Sequence, residues 1–228
     1  RICLVGSEMC IRDRSNISTP EFREIDVALA PQFADYSAKI TQNQRLFSRL
    51  QIIYKRSQET PLEDDQQRVV ELMYKDFEMN GAALDSISKV RYANINRELS
   101  SLYTTFSNNV LHDEENYNTY LTEDQLDGLS DGYIKSAARI ATAKGQEGKY
   151  AITNTRSSME PFLTFSTNRE LRKTVWTNYY SRGDNNDEYD NKDIIAKILE
   201  LRRERVELLG YPDYPTWRLQ NRMAKNPA

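Results

Sequence analysis

The chain is poor in cysteine, glycine and proline, and it has no long apolar run. Its 228 residues include two cysteines, Cys3 and Cys10, so the main body has no disulfide framework. Eight glycines and seven prolines are too few for a sandwich or barrel that turns every ~8–12 residues. No apolar run reaches the ~18 residues of a membrane-spanning helix, so we expect no membrane span. These absences favour a mainly α fold.

Charge of one sign is not concentrated anywhere along the chain. The 31 basic and 34 acidic side chains are interspersed, and they give a formal net charge of −3. Without a basic face, nucleic acid is not an expected partner. Apolar residues make up 39% of the chain and charged residues 29%, which is typical of a folded globular protein.

Histidine occurs once, at His112, which limits the chemistry that the chain can support. An HExxH zinc helix needs two histidines, so this motif cannot be formed. There is no GxSxG turn for a serine nucleophile and no glycine-rich phosphate loop, so no nucleotide cofactor is implied. We therefore assign no catalytic residue, no metal ligand and no substrate-binding residue. We expect His112 at an exposed helix end.

An acidic stretch, Gly183–Asp190, invites comparison with calcium-binding loops. It lacks the central glycine and the final glutamate of the EF-hand spacing. We interpret it as a solvated loop that joins two helices.

Four pairs of residues carry the reciprocal helix-start pattern, a Ser or Thr followed three residues later by Glu or Gln. Each pair predicts the start of a helix. The pattern at Thr60 is strengthened by Pro61, which suits the first helical position. Gly183 and Gly210 predict the ends of two later helices. The four pairs are Ser18 with Glu21, Thr60 with Glu63, Thr122 with Gln125 and Thr167 with Glu170.

Apolar residues at steps of three or four predict the longest helices. A stripe between Leu84 and Val110 predicts one helix over 85–109, about 37 Å long at 1.5 Å per residue. Residues 20–58 also have a helical pattern, which Pro31 is expected to break into two helices, the second beginning at that proline. The last long helix, 194–209, presents an apolar face and carries Arg202, Arg203, Glu204 and Arg205, which we expect to be mostly solvated.

Two short segments predict strands because they are rich in β-branched or aromatic residues. They are Tyr150–Thr153 and Phe162–Phe165, and a turn-like segment separates them. The sequence therefore predicts a short β element around 150–165 inside a helical protein.

Residues 1–14, RICLVGSEMCIRDR, differ from the rest of the chain in their cysteine content and lack of helical period. Ile2–Val5 is too short for the apolar centre of a signal peptide. The stretch resembles translated sequencing-adapter sequence, so we expect a non-native tail and a domain that begins at residue 15. The true N-terminus, and any targeting signal on it, would then be missing.

The final 35 residues, Ile194–Ala228, resemble the thimet oligopeptidase family, in its bacterial peptidyl-dipeptidase and oligopeptidase A branch. The similarity is most specific in LRRERVELLGYPDY at Leu201–Tyr214 and in RMAK at Arg222–Lys225. FLTFSTNRELRKTVWTNYYSR at Phe162–Arg182 resembles the preceding part of the same family, and the likeness covers about residues 15–228. FSRL at residues 47–50 and the segment at residues 73–80 favour the peptidyl-dipeptidase side of the branch.

The resemblance implies a helical zinc metallopeptidase with two lobes around a deep channel that admits short peptides. One zinc per protein would be held by the two histidines of HExxH and a downstream glutamate. None of those residues has a counterpart here, so no zinc ligand is carried over. The resemblance implies that this chain is the N-terminal helical part that forms one wall of the channel.

Two function classes remain open. The leading hypothesis is an N-terminal fragment, truncated before the catalytic region and inactive alone, of a peptidase that releases C-terminal dipeptides from short peptides. Its partners would be those peptides and the missing C-terminal catalytic half, and its reading frame would continue past Ala228 into an HExxH helix. The alternative is a non-catalytic helical protein-interaction module, and peptide binding without cleavage is a third interpretation. We expect a cytoplasmic location, with the periplasm as the alternative.

Overall fold

The computed structural model describes residues 19–227, and most of this range is helical. The predicted tail at residues 1–14 and the proposed helix start at Ser18 lie outside the described residues. No helix within 19–227 is both long enough and apolar enough to cross a membrane. In chain order the elements are α1 (Pro20–Thr41), α2 (Gln44–Glu59), α3 (Asp64–Met79), α4 (Ser86–Asn116), β1 (Thr119–Leu121), a 3₁₀ turn (Glu123–Gln125), α5 (Asp131–Ala143), β2 (Tyr150–Ile152), α6 (Arg156–Phe165), α7 (Arg169–Tyr180), α8 (Lys192–Leu208) and α9 (Tyr214–Leu219).

The mainly α prediction is confirmed, and the longest helices lie where their apolar spacing placed them. Helix α4 has 31 residues, which corresponds to about 46 Å. Ile95 and Leu99 of the predicted stripe are buried, whereas Ile87 at the start of the helix is 82% exposed. Helix α8 ends at Leu208, and Gly210 beyond it has a positive φ of 80°. Glycine adopts that conformation without strain, as expected after a helix end.

Three of the four helix-start pairs lie within the described residues. Two of these three precede a helical segment, but one of the two is wrong about the capping residue. Thr122 and Gln125 form a capping box on a single 3₁₀ turn. Asn168, rather than Thr167, caps α7, because its Oδ1 accepts the Leu171 N–H at 3.1 Å. Thr19 caps α1 by accepting the Phe22 N–H at 3.3 Å.

The prediction that Thr60 begins a helix is wrong. Its N–H donates to the Arg56 carbonyl at 2.8 Å and so closes the preceding helix, α2. Helix α3 begins only at Asp64, and Glu63 at its start makes no side-chain cap. The residue before a proline is pushed towards extended backbone, and Thr60 has ψ of 100°. The following proline therefore decides the conformation of Thr60.

Pro31 does not divide α1, so the predicted break is wrong in position. The helix continues through this proline to Thr41, and the interruption comes at Gln42 and Asn43. Proline removes the backbone donor to the Val27 carbonyl, four residues earlier. Two carbonyls beside it accept an additional side-chain donor. The Gln32 amide donates to the Ala28 carbonyl at 3.0 Å, and Ser100 Oγ donates to the Ala30 carbonyl at 2.9 Å.

One of the two predicted strands is a helix. Tyr150–Ile152 is a strand, but it pairs antiparallel with Thr119–Leu121. Phe162–Phe165 forms the last turn of α6. Met159 and Phe162, three residues apart, are both buried, and that is a helical rather than an alternating pattern. Burying Phe162 contributes about 1.5–3 kcal/mol, so packing overrides local strand propensity.

The described residues form two compact units. The first comprises the residues up to Thr105 and those from Ile194 onward, and the second is Phe106–Asp193. The first unit contains three clusters of buried side chains. They are Ile95, Leu99, Ile198 and Leu201; Phe47, Phe77 and Ala82; and Met79, Val206 and Trp217. The second unit has one main cluster, made of Leu121, Ala137, Ile152, Met159, Phe162 and Val175.

Candidate functional site

The only histidine lies near the end of α4 and is partly covered. The His112 ring stacks on Tyr189 with ring centroids 3.4 Å apart. Its Nδ1 lies 3.5 Å from Asp113 Oδ1, and neither atom has another hydrogen-bond partner. The predicted helix-end location is right, but Tyr189 shields the ring from solvent.

No metal centre is assembled in the part of the chain that the structure describes. Within residues 19–227, no three His, Cys, Asp or Glu side chains come together as a set that could hold a metal ion. These residues do not fit a catalytic zinc, which takes three protein ligands. No chemical step through zinc follows from them.

The polar centre of the second unit is Asp113, a carboxylate with no exposed surface. Its Oδ2 accepts the Gly183 N–H at 2.7 Å and the Asn185 side-chain amide at 2.8 Å. A buried carboxylate requires such donors because desolvation of the charge is costly. The side chain of Asp113 on α4 therefore fixes the start of the loop that follows α7.

Three buried asparagines extend this polar centre. The Asn109 amide donates to Asn191 Oδ1 at 3.0 Å, and Asn191 in turn donates to the Phe106 carbonyl at 3.2 Å. The Asn154 amide donates to the carbonyls of Asn178 and Asp113 at 3.0 and 3.3 Å. These side chains hold loop backbone against α4, and they contain no nucleophile or base.

The acidic loop Gly183–Asp190 joins α7 and α8, as predicted, but its ends are not solvated. Gly183 and Asn191 are both buried, and the Asn191 N–H donates to the Gly183 carbonyl at 2.7 Å. Lys192 Nζ lies 2.5 Å from Asp184 and 2.8 Å from Asp190. The hydrogen bonds from the Lys192 side chain and backbone lower the pKa of Asp190. Lys192 therefore pairs with both carboxylates.

Arg182 lies just beyond the end of α7, in the second unit. Its guanidinium forms an ion pair with Glu114 and lies 3.9 Å from the centre of the Tyr179 ring. Both partners of the ion pair are largely buried. Arginine suits this position because it can stack and donate at the same time.

Three of the four polar residues at 202–205 bind other side chains. The prediction that all four are mostly solvated is therefore wrong for those three. Arg202 Nε donates to the Tyr103 hydroxyl at 2.8 Å, and the same guanidinium lies 4.8 Å from the Tyr214 ring centre. Arg205 lies 4.7 Å from the Trp217 ring centre. Arg203 is the exposed member. Sequence reasoning missed these aromatic partners because each lies on a different helix from the arginine that it contacts.

Glu204 is bound by Arg91 of α4 through two hydrogen bonds of 2.5 Å. This bidentate bond lowers the pKa of Glu204 and raises that of Arg91. Both side chains are more than a third exposed, so solvent screens the pair. The contact fixes the register of α4 against α8 more than it stabilises the unit.

A small pocket of about 230 Å³ lies between α5, β2 and α6. The Tyr133 hydroxyl donates to the Ser158 carbonyl at 2.6 Å, and burial raises the pKa of Tyr133. Ser158 Oγ accepts the Thr153 N–H at 3.0 Å. The described lining contains hydroxyls and apolar groups but no imidazole, carboxylate or amine. It therefore has no base to activate a serine.

The chain is similar to known peptidases. Residues 162–228 match Peptidase family M3. The chain is 27% identical over 208 residues to the dipeptidyl carboxypeptidase of Escherichia coli (strain K12), a match that covers 91% of this chain and 30% of that protein. It is 31% identical over 215 residues to oligopeptidase A of Salmonella typhimurium, which covers 92% and 32%. Saccharolysin of Saccharomyces cerevisiae is 26% identical over 223 residues, which covers 97% and 29%.

Residues 162–228 therefore resemble peptidase family M3, and most of the chain is similar to the peptidases named above. The resemblance to the thimet oligopeptidase family, in its dipeptidyl carboxypeptidase and oligopeptidase A branch, is confirmed. The chain spans about a third of the length of the relatives that it matches. Identities of 27% and 31% do not separate the two sides of the branch, so the preference for the dipeptidyl carboxypeptidase side stays a prediction.

Several residues within the family-like segments have structural contacts in this chain. Arg182, Arg202 and Glu204 each bind a side chain far away in sequence.

Sequence reasoning missed the buried polar residues Asp113 and Asn109, although the sequence held a signal for them. They continue the apolar stripe of Leu99, Leu102 and Phe106 at helical spacing. Polar residues that continue a buried stripe point to a buried polar centre.

We expect Arg202→Lys to lower the free energy of unfolding of the first unit by about 1 kcal/mol. Lysine keeps the charge but loses the planar stack on Tyr214 and the Nε donor to Tyr103. Urea unfolding followed by Trp217 fluorescence, with Trp176→Phe as the background, would measure the change. Arg203→Lys is the matched control, and equal effects of the two variants would contradict the assignment.

Proposed function

We propose that this chain is the N-terminal helical part of a zinc metallopeptidase that cleaves short oligopeptides and releases dipeptides from their C-termini. The observation that carries the proposal is the match of 91–92% of this chain to about a third of two bacterial peptidases. The zinc, one per whole protein, would be bound by residues outside this chain. The chain alone is then inactive, and its partners are short peptides and the C-terminal catalytic half.

The role proposed for this part is that of a rigid wall of the peptide channel. Two features support rigidity. In the first unit, Ile95 and Leu99 of α4 pack on Leu201 of α8, and the Arg91–Glu204 bond fixes their register. In the second unit, Asp113 and its amide partners tie the α7–α8 loop to α4. A rigid wall positions a peptide without contributing a reacting group.

We propose a cytoplasmic location, with the periplasm as the alternative.

The isolated chain provides the first test of this proposal. We expect the purified 228-residue chain, dialysed with zinc, to retain no stoichiometric metal and to release no dipeptide from a blocked oligopeptide. Metal content would be measured together with peptide products, with and without a chelator. Stoichiometric zinc with chelator-sensitive cleavage would mean that the chain contains a complete site of its own.

A second candidate function is a non-catalytic helical protein-interaction module. The observation that favours it is the outer face of α1, where Phe33 is 67% and Tyr36 is 64% exposed. Large exposed apolar side chains in a row are typical of docking surfaces. A chain that restores peptidase activity when joined to a catalytic half would favour the first candidate.

A further inference from the structure

Helix α3 ends in a Schellman motif. The Ala82 N–H donates to the Phe77 carbonyl at 3.0 Å, and the Gly81 N–H donates to the Glu78 carbonyl at 3.0 Å. Gly81 has a positive φ of 85°, and an added Cβ would lie 3.0 Å from Leu84 Cδ1. The backbone conformation and the packing at residue 81 therefore both require glycine.

The residue before this glycine is an asparagine, and the dipeptide Asn-Gly occurs once in the chain, at Asn80-Gly81. Glycine leaves its backbone nitrogen unshielded because it has no side chain. That nitrogen can attack Asn80 Cγ: a bond forms between Gly81 N and Asn80 Cγ, the Cγ–Nδ2 bond breaks, and the amide leaves as ammonia with the Gly81 proton. Water then opens the resulting succinimide at either carbonyl and gives aspartate or isoaspartate.

The folded helix end keeps the two reacting groups apart. The Gly81 N–H is bound to the Glu78 carbonyl, and Asn80 Nδ2 donates to the carbonyl and to Oδ1 of Asp76 at 2.7 and 3.2 Å. Asn80 has ψ of 14°, which turns the Gly81 nitrogen towards the backbone nitrogen of Asn80 and away from its Cβ. Ring closure therefore requires the end of α3 to open and the peptide to rotate.

Two buried side chains restrain that opening. The Met79 carbonyl, directly before Asn80, accepts the Tyr92 hydroxyl of α4 at 3.2 Å and Trp217 Nε1 of α9 at 3.3 Å. Tyr92 and Trp217 are both buried, so water does not readily replace these donors. Opening the end of α3 therefore disturbs contacts to two other helices of the first unit.

We propose that Asn80 is a site of spontaneous deamidation, and that opening of the α3 end sets its rate in the folded chain. The Gly81 backbone nitrogen is the nucleophile, and water is the second reactant. The proposal rests on this helix end alone, so it does not depend on the proposed peptidase function.

The product changes the helix end that formed it. A carboxylate at residue 80 cannot donate to Asp76, and it adds a negative charge four residues from Asp76 at the negative end of the helix dipole. Isoaspartate also lengthens the backbone next to Ala82, which is 1% exposed and packs with Phe47 and Phe77. We expect Asn80→Asp, which supplies the charge alone, to speed hydrogen exchange in the last turn of α3 roughly fivefold.

Peptide mass spectrometry of the full chain, incubated in mildly alkaline buffer with and without concentrated urea, tests the site. We expect conversion at Asn80 in urea and conversion at least about tenfold slower in the folded chain, because the folded chain must first open locally. Asn80→Gln keeps the amide but would need a larger ring, so it should show no conversion at this position over the same time.

A tryptophan pair tests the restraint. Trp217→Phe removes the Nε1 donor to the Met79 carbonyl but keeps an aromatic ring, and it should raise the rate in the folded chain roughly threefold to fivefold. Trp176→Phe, at a half-exposed tryptophan of the second unit, is the matched control and should leave the rate unchanged. Equal rates for wild type with and without urea, or equal rates for the two tryptophan variants, would overturn the proposal. An Asn80 that stays intact in urea would overturn it as well.

Discussion

Asp113→Ala is expected to lower the free energy of unfolding of residues 106–193 by about 3–5 kcal/mol. The substitution removes a buried carboxylate oxygen that accepts the Gly183 N–H and the Asn185 amide. Both donors would lose their acceptor, and an unpaired buried donor such as the Gly183 N–H costs about 1–3 kcal/mol. Amide hydrogen exchange, followed by mass spectrometry on peptides from this unit, would measure the loss.

Asp113→Asn is the matched conservative variant. Its amide oxygen can still accept the Gly183 N–H, and its NH₂ group can donate to His112 Nδ1, 3.5 Å from the present Oδ1. We expect a loss of about 1–2 kcal/mol, clearly smaller than that of alanine. Equal losses for the two variants would show that volume, rather than hydrogen bonding, determines the role of Asp113.

Gly128→Ala should destabilise the second unit by about 3 kcal/mol or more. Gly128 has a positive φ of 84°, and an added Cβ would overlap the Phe165 carbonyl oxygen. Backbone cannot move aside as a flexible side chain can. The neighbouring Asp127 carbonyl also accepts the Thr167 N–H at 3.2 Å, so any shift would disturb the α6–α7 connection. Hydrogen exchange at residues 126–130 and 165–168 would report the change.

Gly145→Ala separates the clash from the backbone strain. Gly145 lies in the same unit with a similar φ of 73°, but an added Cβ would meet no atom within 4 Å. We expect it to cost only about 1 kcal/mol, from the positive φ alone. If both glycine variants had the same small effect, the close approach of Gly128 to Phe165 would be contradicted.

The helices could be predicted from sequence where apolar spacing is long and regular. The stripe from Leu84 to Val110 predicted α4, and Ile194–Leu209 predicted α8, because 3.6-residue periodicity accumulates over many turns. Boundaries were less predictable, since a single cap or proline decides them. Thr60 matched a helix-start pattern, yet Pro61 forces it into extended backbone.

Contacts between separate elements of the fold account for the predictions that were wrong. Helix α1 passes through Pro31, and Ser100, 70 residues away in sequence, donates to the adjacent Ala30 carbonyl. Phe162–Phe165 has strand propensity, but Phe162 packs in a core as part of a helix. Arg202 and Arg205 stack on aromatic rings that no local pattern could assign to them. Tertiary packing, rather than propensity, decided each case.

The family resemblance came from residues that shape the fold. Arg182, Arg202 and Glu204 connect distant segments through hydrogen bonds, and none belongs to a metal site or a nucleophile–base pair within the described chain. Structural residues therefore carry the resemblance to family M3, whereas assigning a reaction needs the site itself.

A chimera is the most direct test of the proposal that this chain is the non-catalytic helical part of an M3 peptidase. In it, residues 19–228 replace the matching region of oligopeptidase A of Salmonella typhimurium, the 31% identical relative. The account predicts a soluble chimera that binds one zinc and cleaves a blocked oligopeptide in a chelator-sensitive manner, while neither part cleaves alone. A soluble, zinc-loaded chimera that leaves the peptide intact would contradict it.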